Sequence, residues 1–135
     1  MPDLMQLEVA TPERELVRQE VDEVQLPGKD GYLGVLPGHA PMVSQLGTGA
    51  LTYGVSGHRR YLAVHGGFVE VQPGHVRILA NAAQPAEEID LNRARAELRE
   101  AEERMMHPDP NGDPQVPLDA VAVAQARVDA AEKRT

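Results

Sequence analysis

Five histidines, His39, His58, His65, His75 and His107, are the side chains here best suited to metal binding or proton transfer. A metal site needs its ligands one helical turn apart or gathered from neighbouring strands. No two of these histidines stand at i, i+4 on a predicted helix, and four lie in or beside turns. A small metal-dependent hydrolase therefore rests on the imidazoles alone, without supporting spacing. The serine of "GVSG" (Gly54 to Gly57) lacks the full nucleophile-elbow pattern and does not sit between a strand and a helix. "HGGF" (His65 to Phe68) could shape an oxyanion loop, but glycines at a sheet bend explain it more simply. There is no phosphate loop, no dinucleotide fingerprint and no cysteine, hence no thiol nucleophile, thiolate site or disulfide. The absence of cysteine fits a reducing compartment. Catalysis has no good candidate, and the expectation is a protein that is not an enzyme.

His39 is the histidine in the most unusual setting. It stands in "PGHAP", between Pro37 and Pro41, flanked by the apolar runs Tyr32 to Leu36 and Met42 to Leu46. Both prolines fix φ and remove an amide donor, which suits a turn or a sheet edge. Two readings stay open: a corner whose imidazole satisfies a neighbouring carbonyl, or a stiff, exposed contact surface for another protein.

The elements that position these residues are written in two periods. Eleven of the twelve glycines fall at or before Gly74, whereas nine alanines lie between Ala94 and Ala131. In the first part Met5, Leu7 and Val9 alternate with Gln6 and Glu8, Leu51, Tyr53 and Val55 with Thr52 and Gly54, and Val76, Ile78 and Ala80 surround Arg77 and Leu79. Turn signals recur at Pro27-Gly28, Pro37-Gly38, Gly47-Thr48-Gly49, Ser56-Gly57, Gly66-Gly67 and Pro73-Gly74. Such spacing predicts a sandwich or barrel of short antiparallel strands. From Asp90 the period changes: Leu91, Ala94, Leu98, Ala101 and Met105 form a helical stripe, with Glu100 and Arg104 placed as an (i, i+4) pair. The breaker "HPDPNGDPQVP" follows, then a second stripe of Leu118, Val121, Ala124, Val128 and Ala131, with Pro117 as its expected first helical residue. The expected fold is α+β, an N-terminal antiparallel β-sandwich (1–86) followed by a C-terminal α-helical hairpin (87–135). The narrow, alanine-rich stripes predict a weakly held hairpin, either permanently docked or able to leave the sandwich.

The net charge of −8 disfavours nucleic acid, since neutralising phosphates needs a basic surface. No apolar run approaches the ~20 residues of a membrane-spanning helix. The start "MPDLMQLEVATPERE" has neither a basic leader before an apolar stretch nor an Arg- and Ser-rich composition, so a cytoplasmic protein is expected.

Taken together, "GYLGVLPGHAPMVSQL", "HGGFVEVQPGHVRILA" and "IDLNRARAEL", with "LEVATPERE" before them, resemble the epsilon subunit of the rotary proton-translocating ATP synthase. The resemblance implies a rotor subunit whose sandwich grips the gamma shaft and rests on the c-ring. It also implies a hairpin that blocks ATP hydrolysis when extended into the alpha/beta catalytic head. Lys29, Asp30, Gly31 and Tyr32 match the family's c-ring-facing turn, and His39, Ala40, Pro41 and Met42 the segment near gamma. Ile89, Asp90, Arg93 and Ala94 fill the pattern by which some members bind ATP as a regulatory ligand; Arg99 and Arg127 are the further phosphate candidates. On the residues themselves, Asp90 reads equally as a helix cap and Arg93 as a surface residue. The family places arginines one turn apart on the second helix, where this chain has only Arg127 before Lys133 and Arg134. No cofactor is required on this reading. The membrane is met only through the complex, on the cytoplasmic face of the bacterial cell membrane. The alternative function is a stand-alone β-sandwich ligand-binding module with a helical appendage.

Overall fold

A computed structural model describes residues 3–134. Its strands are β1 (Met5–Ala10), β2 (Glu15–Val21), β3 (Glu23–Gly28), β4 (Gly31–Val35), β5 (Met42–Gln45), β6 (Thr48–Val55), β7 (His58–Gln72) and β8 (His75–Pro85). A single 3-10 turn at Ala86–Glu88 leads into α1 (Leu91–Met106) and α2 (Gln115–Lys133).

The ladder order is β2-β1-β8-β7-β6-β3-β4, with β5 also paired to β7. It forms two layers because β7 is long and serves both. Its first half pairs with β6 and its second half with β5, while β8 follows it along both. The fold-over lies at Gly66-Gly67, where the β7–β8 ladder skips Gly66 and Asn81. Gly67 has φ +121°, and a Cβ there would lie 2.0 Å from the Leu79 carbonyl oxygen, so the corner needs glycine. The Gly66 amide donates to Gly47 O at 3.0 Å and so holds the neighbouring strand. Gly66-Gly67 is thus a bend inside a strand rather than a turn between strands, and the "HGGF" glycines serve the sheet.

Between the layers lies a core of large aliphatic side chains, among them Met5, Leu7, Leu26, Leu51, Leu62 and Ile78. β1 and β8 show the expected alternation: Met5, Leu7 and Val9 are buried, as are Val76 and Ile78 around an exposed Arg77. Two expectations are revised. β1 pairs with β8 in parallel, the one parallel pairing among the described strands. The rest of the sandwich connects these two strands, so no short crossover is needed. And β6 is buried on both faces from Gly49 to Gly54, because its second face is covered by a helix.

That helix is α2, which lies on β6 and β7, with α1 packed on α2. The interface is a second, separate cluster: Ala50 and Ala63 from the strands, Ala86 and Ile89 from the linker, and Ala94, Ala126, Val128, Ala130 and Ala131 from the helices. Alanines let backbones approach closely but remove little apolar surface from water. Both stripes fade toward the hairpin tip, where Met105, Met106, Val116 and Leu118 are exposed. α2 begins two residues before Pro117, which is accommodated because first-turn amides have no intrahelical acceptor to lose. On α1 the ion pair that forms is Arg93–Glu97; among the described residues Glu100 and Arg104 make none.

Candidate functional site

The five histidines are dispersed over the loop after β4, the first residues of β7 and β8, the middle of β7, and the end of α1. Among the described residues no three His, Asp or Glu side chains gather as metal ligands. Ser56 sits in the β6–β7 turn, its amide donating to Asp22 Oδ2 at 2.8 Å.

The corner around His39 is held by hydrogen bonds within the loop and by one to the β7–β8 turn. The Gly38 amide donates to Pro73 O at 3.0 Å and the His39 amide to Leu36 O at 3.1 Å. The imidazole Nδ1 donates to Ala40 O at 2.7 Å. His39 is half-buried rather than fully exposed, and its ring stiffens the loop instead of projecting from it. Ala40 and Pro41 are exposed, while Met42 is partly buried against the sandwich core. At the β3–β4 turn Lys29, Asp30 and Gly31 are exposed. The Tyr32 ring is 63% exposed, yet its hydroxyl accepts from the Ala50 amide at 3.1 Å and fixes its direction.

Strand phase places further apolar side chains outside. Val43 follows the His39 corner on β5, Phe68 pairs across β7–β8 with Leu79, and all three are more than half exposed. Phase alone could have flagged them, since Val69 and Val71 point inward and Phe68 therefore points out. Across β2, β1 and β8 runs a charged row in which Glu8 meets Arg77 Nε at 3.1 Å, His75 Nε2 at 3.3 Å and Arg18 Nη2 at 3.6 Å. Hydrogen bonding from Arg77 and then His75 holds the Glu8 carboxyl below its ordinary value of 4.5, against the opposing effect of burial.

The nucleotide candidates are partly assembled. Asp90 caps α1, its Oδ1 accepting from the Arg93 amide at 3.2 Å. Ile89 and Ala94 are buried in the helix-side cluster. Arg93 Nε reaches Glu97 Oε1 at 3.1 Å, and Arg127 Nη1 donates to Glu97 Oε2, so two of the arginines converge on one carboxylate. Arg99 is exposed beside Arg93, Glu100 and Glu103 in an open groove and does not join them. Arg127 also lines a cleft of about 290 Å³ between α2 and the strands, with Ala63, Ala83, Val123, Arg14 and His65.

Sequence reasoning missed the groups that fasten the tail. Arg134 donates to Ala86 O at 2.6 Å and Ile89 O at 3.1 Å, tying the end of α2 to the linker. Arg14 pairs with Glu88 at 2.7 Å, and Gln84 receives Arg127 Nε at 3.0 Å. These partners lie far apart in the chain, so no spacing pattern announces them.

Residues 4–86 match the family model described as "ATP synthase, Delta/Epsilon chain, beta-sandwich domain". The chain is 54% identical over 134 residues to the ATP synthase epsilon chain of Solibacter usitatus (strain Ellin6076), covering 99% of this chain and all of that one. The ATP synthase epsilon chain of Koribacter versatilis (strain Ellin345) is 45% identical over 105 residues, 78% of this chain and 74% of that one. Among solved structures, a chain of the Euglena gracilis mitochondrial ATP synthase, in an assembly with the c-ring, aligns at TM-score 0.82 and 27% identity over 98% of this chain and 83% of that one. A chain of the Tetrahymena thermophila mitochondrial ATP synthase central stalk and c-ring aligns at TM-score 0.58 over 97% and 96%, its 16% identity reflecting the fold alone.

Proposed function

The chain belongs to the ATP synthase epsilon chain family, and from that premise we propose that it is the foot of the rotor and that its tail restrains ATP hydrolysis. As an epsilon chain it is a non-catalytic subunit of the central stalk, with gamma, the c-ring and the catalytic head as partners. Among the described residues no helix is long and apolar enough to cross a membrane, and as a subunit of the ATP synthase the chain meets the membrane through the complex. The cytoplasmic face is our reading for a bacterial enzyme.

Coupling rotation demands a stiff contact, because a compliant foot would absorb torque as strain. The His39 corner supports that role. Its side chain and amide, and the Gly38 amide, are all hydrogen-bonded, and it leads directly to exposed Val43 with Phe68 and Leu79 nearby. An apolar patch continuous with a stiff loop fits a face that a partner covers. We assign that face to gamma, and the Lys29–Tyr32 turn to the c-ring loops.

The observation that carries the inhibitory tail is the contrast between two interfaces. The sandwich core is filled by Met, Leu, Ile and Val, whereas the hairpin rests on a mostly alanine cluster and leaves Met105, Met106, Val116 and Leu118 unburied. Low local stability and an exposed apolar tip suit an element with a second resting place. Deleting residues 89–135 in the holoenzyme should leave assembly intact and raise ATP hydrolysis; unchanged hydrolysis would end the inhibitory reading. ATP as a ligand at Asp90, Arg93 and Arg127 is the companion proposal, a binding event separate from what holds the hairpin closed. Isothermal titration of the isolated subunit tests it, and no heat at millimolar nucleotide would refute it.

A further inference from the structure

Arg127 joins the three parts of the folded tail. From α2 its Nε donates to Gln84 Oε1 on β8 at 3.0 Å, and its Nη1 donates to Glu97 Oε2 on α1. The other oxygen of Glu97 accepts from Arg93 Nε at 3.1 Å. One carboxylate therefore lies between guanidinium groups from both helices, with both oxygens in use. The node is sheltered on its Arg127 side, where the side chain is 21% exposed, and open on its Arg93 side, where it is 77% exposed, with Glu97 between them at 37%.

Two guanidinium groups held this close repel unless an anion stands between them. We propose that Glu97 is a built-in counter-anion, drawing Arg127 to α1 and holding the hairpin closed with no bound nucleotide, while Arg127–Gln84 fastens the closed hairpin to the sandwich. This rests on the two-state reading of the tail. A polyphosphate entering the same place must displace a carboxylate already bound to both arginines. It therefore gains little differential affinity for the closed state, and only such a difference can shift the balance. The two contacts bear on two motions: losing Gln84 weakens docking of the hairpin as a unit on the sandwich, where the alanine cluster and Arg134 also hold it, whereas losing Glu97 weakens the hold of α1 on α2.

The chain contains no cysteine, so spin labels can be placed at will on the full-length protein. Glu20→Cys on β2, Ala122→Cys on α2 and Glu102→Cys on α1 are exposed positions. Taken in pairs they report docking (20 with 122) and closure (102 with 122) by pulsed dipolar spectroscopy. With Glu97 intact, both pairs should give single, narrow distances that inorganic triphosphate leaves unchanged. Glu97→Gln should lower the closed-to-open ratio by roughly tenfold, the scale of a charge-assisted hydrogen bond, and added triphosphate should restore it. Gln84→Ala should lengthen the docking distance while the closure distance stays short, which separates an unfastened hairpin from an unfolded chain. The proposal is overturned if the native pairs are broad until triphosphate is added, or if Glu97→Gln closes as fully as the native chain. Neither result depends on ATP hydrolysis, so a failed inhibitory reading would be recognised separately in the truncated holoenzyme.

Discussion

Replacing Ala130 by Leu tests the idea that the hairpin is held by close approach rather than by a large apolar surface. Ala130 has no exposed area and lies in the cluster that α2 shares with Ala50 and Ala63 on the strands. Leucine adds three heavy atoms where backbones already meet through methyl groups. Overpacking of this kind costs about 1–3 kcal/mol, which lowers the docked-to-undocked ratio by between about fivefold and a hundredfold. The sandwich core is a separate cluster, so its own stability should be little changed. Amide hydrogen exchange of the isolated subunit reads both quantities at once: protection in α2 should fall by that factor while protection in β1 and β8 persists. In the holoenzyme the released tail should reach the catalytic head more often and lower ATP hydrolysis. Protection of α2 within twofold of the native value, in a folded variant, would refute the reasoning.

Other perturbations follow from single contacts. Gly67→Ala should cost about 2–5 kcal/mol in urea unfolding, combining left-handed backbone strain with the clash against Leu79 O, while Gly74→Ala, with open space around it, should stay within about 0.5 kcal/mol. Asp90→Ala removes the α1 cap and should lower the tail's local stability by about 1 kcal/mol, read as faster exchange of the first-turn amides. Because the Glu8 pKa is depressed in the folded state, its contribution is present above 4.5 and lost as pH falls through the folded value. The melting temperature of Glu8→Gln should therefore lie below that of the native chain at pH 7, and the two should converge in acid. A gap that persists in acid would contradict the Arg77 and His75 pairing.

Much of this architecture is legible in the residues because strands and helices carry different periods. The inward sets of β1 and β8, the Asp90 boundary and the breaker between the helices follow from spacing alone. What resists sequence reading is non-local. β6 looks like a half-exposed strand because nothing in its own residues says that a helix covers Ala50; the alanines of α2 hint at it only once the two are brought together. The parallel β1–β8 pairing depends on where the ends of the sandwich meet. His39 was legible as a rigid corner, but its half-burial and its bond to Ala40 O depend on the path of the loop. Glu97 reads as one of several surface acids on α1, and becomes distinctive only when the return of the chain sets Arg127 against it.

A rotor foot must grip its shaft. Co-expression with the gamma subunit from the same genome, followed by affinity purification and size-exclusion chromatography, asks this directly. The prediction is one stoichiometric complex that survives removal of the tail and is lost when Val43, Phe68 and Leu79 are together changed to serine. Elution of the native chain as a free monomer, with gamma elsewhere in the profile, would contradict it.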